Sequence, residues 1–310
     1  MSVGPLSIPD HLKIGLLSLP VLVTACGGQP RGGLIEVDGS STVFPITEAV
    51  AEEFQKVNPA VRVTVGISGT GGGFKRFCAG EIDISDASRP IQDSEIEACR
   101  AAGVEFIELK VAFDGLSVMV NPGNDFVGCL SMGQLKAIWE PGSTVRLWSD
   151  IEPSWPAEEI HLYGPGTDSG TFDYFTAEIV GEEDASRADY TASEDDNVLA
   201  QGIAGDAQAL GYFGFAYYEQ NSSRLQLVAI DGGRGCMLPS RETILNGSYM
   251  PLSRPLYIYV KVASLARPEV AEFVRFYVQN ATTLVPQVGY VELPQAEYDA
   301  GLRALEEALR

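Results

Sequence analysis

The chain has 310 residues, more than one compact core usually holds, and we expect it to fold as two lobes or domains. Hydrophobic residues make up 45% of it and charged residues 20%, a balance typical of globular proteins that excludes a disordered chain. The net charge of −21, with no basic cluster beyond Lys75 and Arg76, argues against a nucleic-acid-binding protein.

The N-terminal segment has the pattern of a lipoprotein signal. Its apolar run, Ile14 to Val23, is too short to span a bilayer, and Val23-Thr24-Ala25-Cys26 resembles a bacterial lipobox. We predict that residues 1–26 are a signal peptide, that Cys26 carries a lipid and that residues 27–33 form a flexible tether. The preceding basic region is weak, because Lys13 is its only lysine or arginine, and the alternative is a buried helix. No later segment has the length and apolarity of a transmembrane helix.

The first third of the chain alternates strands and helices. A strand at residues 35–37 precedes DGSSTVFP and a helix in which Ile46, Val50, Phe54 and Val57 follow helical spacing. RVTVGIS predicts a second strand, GTGGGFKRFCAG a glycine-rich turn that opens a second helix, and EIDISDASRP a third strand. This order predicts an α/β fold, with a parallel sheet covered by helices.

The rest of the chain repeats this alternation. Further strands are predicted in VAFDGLSVMVNP, EEIHLYGP, ALGYFGFAYY, RLQLVAI and PLYIYVKVA. Helices are predicted near SMGQLKAIW, GTDSGTFDYFTAEIV, EDDNVLAQGIAG, SRETILNG and PEVAEFVRFYVQ, with a terminal amphipathic helix that runs to Arg310.

Four cysteines remain if Cys26 is lipidated, an even number that suits disulfide bonds in an oxidising compartment. Of the three possible pairings we favour Cys78 with Cys99, which is local, and Cys129 with Cys236, which closes a long loop. Their spacing contains no CxxC pair, and we expect no metal site.

Three loops share one design: a strand end, a turn of small and hydroxyl-bearing residues, and a helix start. They are Gly39–Pro45, Ser68–Lys75 and Gly166–Phe172, here called the first, second and third loops. The N–H groups and the macrodipole of a helix start attract anions. One such loop alone more often serves as a helix cap. Three at the carboxyl ends of strands predict a shared crevice for an anionic ligand.

Enzyme motifs match poorly. Asp168–Thr171 fits the D-[ST]-G-[ST] pattern of aspartic proteases, but that chemistry needs a second such motif, and neither Asp38–Ser40 nor Asp114–Leu116 provides it. GTGGGFKR is not a P-loop, because Lys75 follows Phe74 rather than a glycine and no serine or threonine comes after it. The two histidines, His11 and His161, offer little for a Ser-His-Asp site.

Taken together, the motifs resemble the phosphate-binding lipoproteins of high-affinity phosphate ABC transporters, especially the cyanobacterial branch. The resemblance rests on five segments, which occur in the same order as in the family over residues 38–261. They are DGSSTVFPITEAVAEEF, GTGGGFKRFCAGEIDISDASRPI, GPGTDSGTFDYF, ALGYFGFAYY and SRPLYIYVK. The resemblance implies a two-lobed periplasmic-binding-protein fold of type II, with a ligand cleft between two α/β lobes that two crossing strands join. Lobe I would comprise residues 34–112 and 258–310, and lobe II residues 113–257.

The resemblance also implies a set of phosphate-binding residues, contributed by the three loops and by the end of the third strand. They are Ser41, Thr42, Val43, Phe44, Thr70, Ser88, Arg89, Asp168, Ser169, Gly170 and Thr171.

Two positions depart from the better-known branch of the family. Pro165 stands where that branch has an arginine, and Ser88 where it has an aspartate. We expect Arg89 to replace the arginine, and Asp168 to accept the proton of hydrogen phosphate, which sulfate lacks, with Asp86 as the second candidate. The simpler roles are a surface ion pair for Arg89 and a helix cap for Asp168.

The function that the resemblance implies is capture of inorganic phosphate outside the cytoplasm and its delivery to the permease subunits of an ABC transporter. The protein would be lipid-anchored to the membrane, in the periplasm or at the cell surface. We expect a monomer that needs no cofactor, catalyses no reaction and binds no nucleic acid. The alternatives are a binding protein for sulfate, phosphonate or molybdate, and a phosphatase, for which no metal cluster or nucleophile–base pair is evident.

Overall fold

The computed structural model describes residues 1, 2, 4, 33–167, 169–193 and 195–310. The predicted lipidation site Cys26, nearly all of the predicted signal peptide and tether, and the predicted ligand Asp168 lie outside these residues. Gly32–Arg310 form one unit, which contains all the elements below.

The strands and helices follow one another along most of the chain. The described strands are β1 (Leu34–Gly39), β2 (Arg62–Val65), β3 (Ile84–Ala87), β4 (Phe106–Val120), β5 (Cys129–Ser131), β6 (His161–Gly164), β7 (Thr191–Ala192), β8 (Ala209–Gly214), β9 (Gln226–Leu227), β10 (Ala229–Asp231), β11 (Cys236–Met237) and β12 (Ser253–Lys261). The described helices are α1 (Phe44–Val57), α2 (Gly69–Cys78), α3 (Asp93–Ala101), α4 (Met132–Trp139), α5 (Trp148–Ile151), α6 (Gly170–Phe175), α7 (Asp196–Gly205), α8 (Phe215–Asn221), α9 (Arg241–Leu245), α10 (Pro268–Gln287) and α11 (Gln295–Ala308). Thr176–Val180 continue α6 as a π-helical turn, and Val262–Ala266 form a 3₁₀ turn before α10.

Helix α1 shows how local sequence sets an element. Pro45 lies in its first turn, where a missing N–H is not needed, and Ile46, Val50 and Phe54 lie on its buried face. The ring of Phe54 packs edge-on against Phe273 of α10, with the centroids 5.3 Å apart. The start of α1, and with it the first loop, is therefore fixed by a hydrophobic core.

Two strands connect the two halves of the molecule. The larger sheet has the order β2-β1-β3-β12-β4-β8-β6-β7, with β9 paired to β4. β1 is parallel to β2 and β3, whereas β12 is antiparallel to β3 and β4. β4 pairs with β12 up to Gly115 and with β8 from Leu116 onwards. The protein therefore has a two-lobed α/β fold of the periplasmic-binding-protein type II class, with β4 and β12 as the crossing strands and a cleft between the halves.

The glycine-rich run of the second loop is helical rather than a turn before a helix, since α2 already begins at Gly69. Glycine is a poor helix former, and packing explains its presence. A Cβ at Gly73 would lie 2.6 Å from Gly39 Cα and 2.8 Å from the Ser85 hydroxyl. The close approach of α2 to the sheet therefore requires glycine there.

Two other elements differ from the sequence predictions. ALGYFGFAYY is a strand only as far as Gly214, and Phe215–Asn221 form helix α8. Aromatic residues favour strands, but burial of Phe215 and Ala216 against the core outweighs that preference. Helix α3 was not predicted, although Gln92 and Glu95 form a capping box at its start.

Two disulfide bonds link distant elements. Cys78 at the end of α2 is bonded to Cys99 of α3, and Cys129 of β5 is bonded to Cys236 of β11. These are the two pairs that the sequence favours.

Within the residues that the structure describes, we find no helix whose length and apolar content would suit a bilayer-spanning segment.

Candidate ligand-binding cleft

A cavity of about 620 Å³ lies where the two halves meet. It is bordered by the first and second loops, the end of β3, helix α6 and the start of β12. Its polar and charged lining residues include Ser40, Ser41, Thr42, Ser68, Thr70, Ser88, Arg89, Asp173, Glu178, Glu183, Ser253 and Arg254. Five predicted ligand residues, Ser41, Thr42, Thr70, Ser88 and Arg89, therefore line one cavity, which we call the cleft cavity.

The third loop faces a neighbouring cavity instead. Ser169, Gly170 and Thr171 line a space of about 450 Å³ together with Phe44, and Ser41 lines both cavities. Val43 is fully buried in the hydrophobic core and lines neither. The structure thus brings most of the predicted residues close to one another but does not place them all around one volume.

The first and third loops touch each other between the two cavities. The hydroxyl of Ser41 donates to Asp173 Oδ2 at 2.9 Å, and that of Thr42 donates to the carbonyl of Gly170 at 3.3 Å. A Cβ at Gly170 would lie 2.7 Å from Thr42 Cα, so this contact depends on glycine. Ser169 caps α6 by accepting from Thr171 N. The two loops therefore form one continuous wall.

The second loop and the end of β3 are held by hydroxyl groups. The N–H of Ser88 donates to the Thr70 hydroxyl at 3.2 Å, and the two hydroxyls are 3.1 Å apart. Asp38 accepts from Ser68 N and forms an ion pair with Arg76, which anchors the start of α2. Ser68 and the first residues of α2, 69–72, line the cleft cavity, where the positive end of the helix dipole favours anions.

The two cavity arginines differ in their partners. Arg89 makes a bidentate ion pair with Glu95, with nitrogen–oxygen distances of 2.9 and 2.8 Å. Burial alone would raise the pKa of Glu95, but Arg89 and the N–H of Gln92 lower it. Arg89 is thus at the cavity, as predicted, with its charge already neutralised.

Arg254 was not identified from the sequence. Its guanidinium donates to Thr42, pairs with buried Asp114 and covers the ring of Tyr174. The only sequence signal was an arginine at the start of the strand SRPLYIYVK, and the position of that strand end at the cleft could not be read from the sequence.

Several carboxyl groups around the cleft have perturbed pKa values. Asp86 is the carboxyl group within β3, whereas Ser88 lies just beyond the strand end. Asp86 is 1% exposed, and burial raises its pKa to about 8, against the lowering effect of a hydrogen bond from Thr47. Burial likewise raises the pKa of Asp173 to about 6, against the lowering effect of the Ser41 hydrogen bond.

The described residues contain no group of three or more histidine, cysteine, aspartate or glutamate side chains arranged to hold a metal ion. The cleft cavity presents hydroxyl and guanidinium groups to a ligand, beside the carboxyl groups of Asp173, Glu178 and Glu183.

The chain is similar to known proteins along most of its length. A family model described as a PBP superfamily domain matches residues 24–281. Protein SphX of Synechococcus elongatus is 50% identical over 303 residues, which cover 95% of this chain and 89% of the relative. Phosphate-binding protein PstS of Staphylococcus saprophyticus is 38% identical over 297 residues, 93% and 91% of the two chains. The crystal structure of a possible phosphate binding protein from Planctomyces limnophilus matches with a TM-score of 0.86 and 48% identity, covering 90% of this chain and 99% of that one. The chain therefore belongs to the PBP superfamily and, within it, to the family that includes SphX and the phosphate-binding protein PstS.

Proposed function

We propose that this protein captures inorganic phosphate outside the cytoplasm and delivers it to the permease of an ABC transporter. The observation that carries the proposal is the cleft cavity, where the start of α2, the hydroxyls of Ser41, Thr42 and Thr70 and a guanidinium converge, in a chain related to PstS. The protein performs no chemistry on the ion. Charge-assisted hydrogen bonds in a cleft shielded from water supply the binding energy.

The net charge of −21 would repel phosphate at long range. At physiological ionic strength, salt screens this repulsion beyond about 8 Å. The hydrogen-bond donors of the cleft therefore determine whether phosphate binds. The acidic surface therefore serves solubility more than ligand binding.

The proposal includes the lobe boundaries and the membrane anchor expected from the sequence. Residues 34–112 and 258–310 would form one lobe, which would move against residues 113–257 by a hinge motion. The division is supported by the pairing of β4, which changes from β12 to β8 between Gly115 and Leu116. Cys26 would carry the lipid and residues 27–33 the tether, so that a monomeric protein stays close to its permease.

We assign the role of proton acceptor to Asp86. It is the carboxyl group of the third strand, its backbone carbonyl accepts from Ser40 N in the first loop, and Ser88, two residues on, lines the cleft cavity. Because burial raises its pKa to about 8, this carboxyl is mostly protonated at neutral pH, and it would accept the proton of hydrogen phosphate and repel sulfate in its ionised form, towards and above pH 8. Asp168, the first choice from the sequence, lies outside the described residues and stays a prediction.

Isothermal titration calorimetry on the purified chain tests the proposal. We expect one phosphate per chain and an affinity for sulfate at least about 100-fold weaker, because a site built around the ligand proton rejects an ion that lacks it. Equal affinities would identify a general oxyanion-binding protein, and molybdate and phosphonate titrations would then find its ligand. An absence of heat and of a phosphate-dependent rise in melting temperature would contradict the proposal.

The substitution Gly170→Ala tests whether the first and third loops bind the same ion. The added methyl group would overlap Thr42 and separate the two loops. We expect at least about a tenfold loss of phosphate affinity, since misplaced donors lose much of their binding energy. Because the methyl group meets backbone atoms of Thr42, we also expect a loss of stability of about 1–3 kcal/mol in a chain that still folds. Gly133→Ala is the matched control, because a Cβ there meets no atom within 4 Å. Unchanged affinity in Gly170→Ala would remove the third loop from the site.

A further inference from the structure

Arg254, the second residue of β12, is fixed in the wall of the cleft cavity by three separate parts of the chain. Its Nε lies 3.4 Å from Asp114 Oδ2 on β4, and its Nη2 donates to the Thr42 hydroxyl at 2.8 Å. The guanidinium carbon lies 3.6 Å from the ring centroid of Tyr174 on α6. With 20% of its side chain exposed, the guanidinium is held in one orientation and still reaches the cavity.

The outer edge of this guanidinium remains open to a ligand. Asp114 contacts it through Nε, and, among the residues that the structure describes, Nη1 donates no hydrogen bond. The acceptor of Nη2 is a neutral hydroxyl that is itself a predicted ligand residue. The planar pair of Nη groups suits two oxygens of a tetrahedral oxyanion. An arriving ion would displace at most one neutral hydrogen bond.

Arg89, the arginine chosen from the sequence, is not open in this way. Both of its Nη groups are bonded to the two oxygens of Glu95, and Nη1 also donates to the carbonyl of Pro90. Glu95 in turn accepts from Gln92 N as part of the capping box of α3. If a phosphate ion bound to the Arg89 guanidinium, Glu95 would lose its ion-pair partner. The Glu95 carboxylate would then lie beside the phosphate ion, and the two negative charges would repel each other.

We propose that Arg254, and not Arg89, is the arginine that binds the phosphate ion. The assignment rests on the proposed function and names the residue that supplies its positive charge. Because Arg254 also contacts the first loop and α6, the ion would bind where the first loop, the crossing strands and the second half of the molecule meet.

The test measures phosphate affinity by calorimetry in the full chain and in three variants: Arg254→Gln, the matched control Arg89→Gln, and the double variant Arg254→Gln/Asp114→Asn. The double variant is needed because Arg254→Gln alone leaves the buried Asp114 carboxyl without its cation and is at risk of unfolding. Circular dichroism melting confirms that each variant is folded.

We expect at least about a 100-fold loss of affinity in both variants that lack Arg254, because two charge-assisted hydrogen bonds are removed. In Arg89→Gln, which loses a partly exposed ion pair, we expect a change within about fivefold. A folded double variant that keeps its affinity, or a greater loss in Arg89→Gln, overturns the assignment while the proposed function stands. A wild-type chain that binds no phosphate overturns both.

Discussion

Replacing Asp86 by asparagine should stabilise the protein at pH 8, by up to an amount on the order of 5 kcal/mol. Burial raises the pKa of this carboxyl from its ordinary value of 3.8 to about 8 in the folded protein. Between those values the folded state binds a proton that the unfolded state has released, so the stability of the wild type falls as the pH rises. Asparagine has the shape of the protonated acid and removes this loss.

Urea unfolding at pH 5 and pH 8 without phosphate measures the effect. The difference between wild type and Asp86→Asn should grow with pH at up to about 1.4 kcal/mol per unit and level off above pH 8. The comparison isolates Asp86, because other groups that titrate in this range, such as Asp173, are present in both proteins. A difference that does not depend on pH would show that Asp86 is ionised in the folded protein throughout.

Asp83→Asn is the matched control for this experiment. Asp83 is also buried, but its carboxylate accepts from Ser264 and Arg267 and from the N–H of Glu36. Removing its charge leaves these donors without an ionised acceptor, and we expect destabilisation instead. If the free energy of unfolding rises in Asp86→Asn and falls in Asp83→Asn, the Asp83 carboxylate stabilises the fold and the Asp86 carboxyl does not.

The same Asp86→Asn variant tests the proposed proton acceptor. A buried carboxyl that destabilises its own protein at physiological pH is typical of a functional residue. We expect the variant to lose most of its discrimination between phosphate and sulfate above pH 8, where the wild-type carboxyl is ionised. If it becomes more stable and keeps its selectivity, the acceptor lies elsewhere, and Asp168 is the next residue to substitute.

Removing the Cys129–Cys236 bond by alanine substitution should destabilise the protein by about 5 kcal/mol, against about 3 kcal/mol for Cys78–Cys99. The bonds close loops with sequence separations of 107 and 21 residues, and the longer loop restricts the unfolded chain more. Denaturant unfolding of the two double-alanine variants measures both values. Equal losses would show that local packing, rather than chain entropy, sets the contribution of these bonds.

Periodic patterns predicted much of the fold. The spacing of Ile46, Val50 and Phe54 predicted α1, because one buried face produces that spacing directly. The aromatic run at Phe215 was misjudged because the same residues suit a strand and a buried helix equally well.

The part of the site that was predicted from the sequence is formed by the three loops that precede helices. The roles of the two arginines depend instead on distant parts of the chain. The partner of Arg89 lies in a helix that was not predicted, and Arg254 reaches the cleft only through the pairing of β12 with β4. A pairing between strands that lie far apart along the chain leaves no local pattern in the sequence.

The position of β12 sets the order in which the protein can fold. This strand lies between β3 and β4 in the sheet, yet more than a hundred residues separate it from β4 in the chain. During synthesis β1–β4 therefore emerge with a gap in their sheet, while β5–β11 can already pack together. The half that begins the chain is the last to be completed, and such non-local pairing makes folding slow. Until residues 253–261 are in place, the edges of β3 and β4 are open to other chains.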